Sequence, residues 1–438
     1  MLAQWMLLQS LFFLAVSSAL ASGCPDMSAF YPADDPDWAE LQADLSEHFD
    51  QCLTSSEFFA LLGAAELNLG NLEGAIQALE RALLLDPDNG SALIDYGEAL
   101  FQDGQLFASL EISGLLEDRD DLPERLRDQL VERRRRWQSL TRQTNWQLEL
   151  GGGMDSNLNG APSDNSIALT LSGEPVYLAL NDEYRSIRGP VLSVGFYGEH
   201  ARLAPDVQRR LSGALRGRFN KSNAPDIGQL TGRYSQIKEY RRFNIVQGTG
   251  LSHLSFAGQK LFTGIDLTAR VEAKRGSSYC SEYVKGALQK QVWHSQRLLD
   301  GVELKAGAGS YCEFGPESIA VELNAIGNLE RNDNRLGGNR AGWQALGRWL
   351  RPISSGAIVA QLEFASILDE RGYSPLLSDN ARRRIERSSA SVQYNRPIYL
   401  MHGDADIFVN LYYQTQKSNL GLFNISDTEI TVGMRLSF

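Results

Sequence analysis

The chain has 438 residues, a formal net charge of −12 and 40 glycines, with a mean hydropathy of −0.27. Beyond residue 21 no stretch approaches the ~18 to 20 consecutive apolar residues of a spanning helix, which excludes a helical membrane bundle. The acidic balance also excludes the general basic field that nucleic acid requires.

Residues 1–21 hold an apolar run from Leu7 to Leu20 and end on Ala19-Leu20-Ala21, the small-x-small pattern of a secretory signal peptide, so Ser22 is the expected mature N-terminus. The segment before the run lacks Lys and Arg. Cys24 follows closely enough that a lipoprotein signal is the alternative, although Ala21 stands where such signals usually carry Leu. Four cysteines without a CxxC pair, in an exported chain, favour disulfides over metal or redox chemistry. Cys24 and Cys52 flank the helical segment Asp37 to His48 and are expected to staple the mature N-terminus.

From Ser55 to Leu116 the apolar period is helical and the segment repeats. Gly63 recurs as Gly97 and Gly70 as Gly104, both 34 residues on. With Leu62-Gly63 in one helix, Ala75, Leu79 and Ala82 in the next and Pro87 ending the unit, the segment resembles a tetratricopeptide repeat. The second copy is looser, with Ser109 and Ser113 in the places of Ala75 and Leu79. That resemblance implies a concave groove lined by Ala60, Ala64, Leu67 and Asn68, then Ile94, Glu98, Phe101 and Gln102, where a client would bind. The other reading is a helical cap on whatever follows. The next helix, Leu122 to Leu140, carries Arg133, Arg134, Arg135 and Arg136. Four consecutive positions cover every face of a helix, so a solvated segment with ion pairs is expected ahead of a lipid or phosphate contact.

From residue 141 the period changes to two, and about fourteen candidate strands follow. Trp146, Leu148 and Leu150 oppose Gln147 and Glu149. Ile265, Leu267, Ala269 and Val271 oppose Asp266, Thr268, Arg270 and Glu272. Val302, Leu304, Ala306 and Ala308 oppose Glu303 and Lys305, and Ile358, Ala360, Leu362 and Phe364 oppose Gln361 and Glu363. The last ten residues place Ile430, Val432, Met434, Leu436 and Phe438 on one face and Glu429, Thr431, Gly433, Arg435 and Ser437 on the other. Apolar-out, polar-in alternation is what a barrel between lipid and water needs. A closing strand that ends on Phe438 reads as an assembly signal for the barrel assembly machinery.

An even strand number puts both barrel termini on one side, with odd connections outside and long, even ones inside and short. Ser156 to Arg188, Arg331 to Asn339, Arg371 to Arg383 and Gln414 to Ser426 fall on odd connections; the short His200 to Pro205 and Arg351 to Ser355 fall on even ones. The same map sets Cys280 near the start of the seventh strand and Cys312 at the end of the eighth, close enough for a disulfide. The expected fold is therefore a signal peptide (1–21), a periplasmic helical domain (22–140) and an antiparallel transmembrane β-barrel of about 14 strands (141–438) in the outer membrane, with lipid around it.

Enzyme chemistry lacks its anchors. No GxxxxGK[ST], HExxH or GxSxG occurs, and the five histidines (His48, His200, His253, His294, His402) read as scattered. No cofactor and no metal is implied.

The first strand runs Leu150-Gly151-Gly152-Gly153-Met154-Asp155-Ser156-Asn157-Leu158-Asn159. A glycine-rich strand entering Asp-Ser-Asn-x-Asn, after a small helical-repeat region and before such a barrel, resembles the surface lipoprotein assembly modulator family. The resemblance covers the architecture of nearly the whole mature chain, and in sequence rests on 150–159. It implies a translocation pore that carries a client lipoprotein or protein from the periplasm to the cell surface, with Asp155, Asn157 and Asn159 as family-like positions. Those three also suit a loop start, because short polar side chains bond their own backbone. Glu149, Asp266, Glu303 and Glu363 are expected to point inward and make the interior negative. Two features depart from the family pattern: the helical region holds little more than two repeats, and the first outer connection is long, with Leu169 to Leu180 apolar enough for a hairpin or plug. An exopolysaccharide exporter and a passive porin or surface receptor are the alternatives.

Overall fold

The computed structural model describes residues 23–30, 37–222, 224–274, 279–400 and 403–438. The signal segment, Ser22 and His402 lie outside the described residues. The chain divides into two compact units at Leu140/Thr141.

The first unit is helical: α1 (Trp38–Glu47), α2 (Ser56–Asn68), α3 (Leu72–Leu85), α4 (Gly90–Gln102), α5 (Leu106–Glu117) and α6 (Glu124–Ser139). Each of α1 to α4 starts where a short polar side chain takes up a free backbone N–H: Asp37, Ser55, Asn71 and Asn89. Gly70 and Gly104 follow α2 and α4 with φ of 79° and 82°, left-handed values that suit glycine and reverse the chain. The 34-residue recurrence is thus a turn requirement. Gly63 has the other reason to be glycine, since a Cβ there would lie 2.4 Å from Leu79 Cγ where α2 crosses α3. Phe58, Leu45 and Leu79 are fully buried in the core. Ser109 and Ser113 are as buried as Ala75 and Leu79, whose places they take. Cys24 and Cys52 form a disulfide, with Cys52 wholly enclosed.

The second unit opens with β1 (Arg142–Asp155). Its first connection holds a separate hairpin, β2 (Ser166–Leu171) and β3 (Glu174–Ala179). There follow β4 (Gly189–Leu203), β5 (Val207–Asn220), β6 (Ile227–Glu239), β7 (Phe243–Phe256), β8 (Gln259–Ala273), β9 (Cys280–Trp293), β10 (Gly301–Phe314), β11 (Glu317–Glu330), β12 (Arg340–Ile353), β13 (Gly356–Gly372), β14 (Arg382–Leu400), β15 (Gly403–Ser418) and β16 (Ile425–Ser437). All but β2 and β3 pair antiparallel in chain order, and β1 closes the ring against β16, giving 14 barrel strands. No helix among the described residues is long and apolar enough to cross a membrane.

We call the end holding Arg142 and Ser437 the near end. Turns there are short, as at 315–316 and 354–355, whereas the far end carries the long connections 156–188 and 331–339. One far-end connection breaks the rule: Ala257-Gly258 joins β7 to β8 in two residues, both at positive φ, the tight hairpin geometry. The stretches Arg371 to Arg383 and Gln414 to Ser426 are shorter as loops than expected, because β13 to β16 keep their ladders past the apolar belt. Charged side chains mark the edge of the lipid zone, and backbone pairing continues beyond it.

The registers sort every strand into two faces. Leu150, Leu192, Leu211, Leu267, Val321, Leu362 and Ile430 stand outward and exposed. Outward aromatics gather towards both ends, Trp146, Phe243 and Phe314 at the near end and Phe219, Trp343 and Tyr413 at the far end, which is the girdle pattern of a barrel in a bilayer. Cys280 and Cys312 lie directly opposite each other at the near end, joined by a disulfide across β9 and β10.

Candidate functional site

The interior wall is built from the alternate residues, and the register carries it from strand to strand. Glu149 on β1 lies opposite Arg435 on β16. Asp266 (β8), Glu303 (β10) and Glu363 (β13) share this inner face, as expected, but the interior is not negative. Arg435 donates to Glu149 at 2.8 Å, Arg233 meets Asp266 at 3.1 Å, Lys305 meets Glu303 at 2.9 Å and Lys285 meets Glu322 at 2.6 Å. Gln344 donates to Glu363 at 2.7 Å. Inward strands carry cations as well as carboxylates, so charges pair along the wall and cancel most of the field. Between these pairs the described wall holds recesses. One, of about 380 Å³, is lined by Tyr283, Arg348, Gln361, Glu363, Ser389 and Tyr412. Another, of about 410 Å³, includes Tyr197, Ser212, Arg233, Asp266 and Gln289.

At the far end Arg218 of β5 bridges two strands at once, bonding Asp155 of β1 and, at 3.0 Å, Glu429 of β16. Asp155 is only 1% exposed. The Asp155-Asn157-Asn159 motif spends its side chains on the chain itself. Asp155 accepts from the Asn157 N–H, Asn157 bonds both the N–H and C=O of Ala161, and Asn159 bonds the Ile187 N–H and Arg185 C=O. It fastens the two ends of the first connection to each other. Leu169 to Leu180 is a hairpin with every residue of β3 exposed, held to the connection after β13 by the Thr170 N–H to Leu376 C=O bond. A second far-end knot centres on Asp369, which is 1% exposed and meets Arg383 at 3.1 Å and Arg340 at 3.4 Å.

In the helical unit, α6 fills part of the expected groove. Phe101 stacks on Trp137 at 4.6 Å, Arg133 meets Glu98 at 3.6 Å and donates to the Ile94 C=O, and Gln102 bonds Glu98. In the first repeat Ala60 is buried, Ala64 and Leu67 are half-buried and Asn68 is exposed. Of the four arginines, Arg133, Arg134 and Arg135 pair with Glu98, Glu117 and Glu132, which is the ion-paired reading of that run.

Asp95 on α4 faces the same junction. Burial pushes its carboxyl up to about 6, with Arg133 opposing and Glu98 adding to the effect. Because the folded form holds its proton more tightly than the unfolded chain, this contribution to stability is complete below about pH 4 and is lost as pH rises through about 6. Asp95→Asn should therefore stabilise the helical unit at pH 7 by about 1–2 kcal/mol and give no gain below pH 4, read from helical circular dichroism during thermal unfolding.

A closed, even-stranded barrel with an apolar outer wall and a polar inner wall defines a membrane-spanning β-barrel. No family model matches the chain, and no curated protein matches it significantly. Among solved structures it is similar to a BenF-like porin from Pseudomonas fluorescens Pf-5 (8% identity, TM-score 0.35, 68% of this chain and 99% of that one). It is also similar to a loop-deleted OmpT, an outer membrane protein of Vibrio cholerae (9%, 0.35, 68% and 100%), and to an anion-selective porin from Comamonas acidovorans (12%, 0.34, 68% and 100%). The barrel is defined by its own strand register, which closes β1 on β16.

Proposed function

We propose that this chain is an outer-membrane export conduit that moves a polypeptide client, a lipoprotein by the family resemblance, to the cell surface. The observation that carries this reading is the joining of two elements in one chain: a closed barrel with a polar wall of paired charges, and a helical-repeat unit ahead of it. A wall of compensated charges hydrates an extended chain without holding segments of either sign, so a client of mixed sequence can slide. With 14 strands the near end is periplasmic, and the helical unit meets the client in the periplasm. Its face is small, because α6 covers the second repeat, which leaves Ala64, Leu67 and Asn68 as the client-facing positions.

The test is deletion of the gene followed by protease shaving of intact cells. One or more lipoproteins lost from the surface and retained in the periplasm is the expected result. An unchanged surface proteome, together with a purified barrel that conducts small solutes, would establish a passive porin instead; loss of a surface polysaccharide would establish a sugar exporter.

A further inference from the structure

Two of the histidines that look scattered in sequence meet in space. His253 is on the outward face of β7, three residues from its far end; Thr263 is its direct partner on β8; His294 follows the last residue of β9. His253 Nδ1 lies 2.9 Å from Thr263 Oγ1, and His294 Nε2 lies 2.8 Å from the same oxygen. The ring centroids are 6.1 Å apart. All three residues are half-buried, so the rings are held while the point between them stays reachable from outside.

We propose that His253 and His294 form a binding site for a divalent transition-metal ion, Cu²⁺, Ni²⁺ or Zn²⁺, on the outer wall at the far rim. Three lines of chemistry support it. Two imidazole nitrogens converge on one point, which is the arrangement a chelate needs and a lone surface histidine lacks. Imidazole suits all three metals, with affinity highest for Cu²⁺. The rings sit on a rigid frame: β7 and β8 are joined by a two-residue turn, and the His294 N–H bonds the Leu261 C=O at 2.9 Å. A hydroxyl has one proton, so Thr263 donates to one ring and accepts from the other. An ion seated about 2.1 Å from each nitrogen displaces that hydroxyl by rotation about χ1, and water completes the coordination. Among the described residues no group of three or more His, Cys, Asp or Glu side chains is placed to hold a metal ion, so the proposed site rests on two imidazoles with water as the remaining ligands.

The inference does not depend on the export reading. Its test uses the untagged full chain in detergent, titrated calorimetrically with Cu²⁺ and with Ni²⁺. One equivalent should bind, and His253→Ala or His294→Ala should each weaken binding at least ~10-fold. His200→Ala, which removes a histidine paired with Thr144, should change nothing. Each variant is first checked for the heat-modifiable mobility of a folded barrel. Should a variant fail that check, Cu²⁺ electron paramagnetic resonance on the unaltered protein decides: hyperfine coupling from two imidazoles is expected, and coupling from one or none overturns the site. Absence of stoichiometric binding, or binding undiminished in the double variant, overturns it equally.

Discussion

Replacing Gly153 with valine is expected to keep most of the chain from reaching its closed form, while Gly152→Ala, one residue away, leaves folding untouched. The contrast comes from the seam between β1 and β16. A Cβ on Gly153 would stand 1.9 Å from the Ile430 carbonyl oxygen and 2.9 Å from the Thr431 Cα, both backbone atoms of the closing strand. A Cβ on Gly152 meets nothing nearer than the Val191 carbonyl oxygen at 4.0 Å, an ordinary contact. Overpacking a core costs about 1–3 kcal/mol when side chains can shift. Here a strand backbone must shift, and it is the strand that closes the ring. Refolding into detergent, followed by electrophoresis with and without heating, reads the folded fraction directly. Equal yields for the two variants would show that the seam has slack which this register does not contain. The glycine run in the first strand is thus explained by close approach of strands, at least for Gly153.

Arg218→Ala should have the next largest effect. It removes the cation shared by Asp155 and Glu429. Asp155 is almost wholly enclosed, whereas Arg218 is a third exposed and the Asn157 N–H stays on the carboxylate, so losing the cation should cost about 1–3 kcal/mol, less than breaking a fully buried pair. The loss should be local: the connection 156–188, which Asp155 and Asn157 anchor, becomes the site of protease cleavage, while the near end stays intact. The double change Arg218→Met with Asp155→Asn removes both charges and should recover at least half of the lost thermal stability. If the single variant resists protease as well as the unaltered protein, the clasp contributes nothing and the connection is held by its backbone bonds alone.

Much of the barrel was legible in the residues because each strand faces two uniform media. Ile265 to Val271 and Val302 to Ala308 alternate cleanly for that reason, and counting them led to the number of strands and to the opposition of Cys280 and Cys312. The strand ends were less legible. Arg371 and Arg382 read as loop residues, yet they belong to or adjoin paired strands, since hydrogen bonding does not stop where lipid stops. The sign of the interior is hidden for another reason. Glu149 and Asp266 can be found by parity alone, but finding Arg435 and Arg233 beside them requires register. Register also brought His253 and His294 together across β7, β8 and the end of β9, although their separation in the chain carries no signal. The groove of the helical unit was read from its own two repeats, and the helix that covers half of it bears an arginine run whose most visible feature is charge.

The ring is closed by partners at opposite ends of the second unit: Gln147 pairs with Ser437, and the Trp146 and Phe438 backbones exchange two hydrogen bonds. No partial cylinder can therefore be sealed while the chain is still emerging. Thirteen strands made in order still leave two raw borders, each able to stick to a stranger, and only the last arrival removes both. Such long-range closure is slow to find. Until the last strand pairs, the apolar outer face of the other thirteen belongs to an open sheet, and the finished wall exists only as a whole.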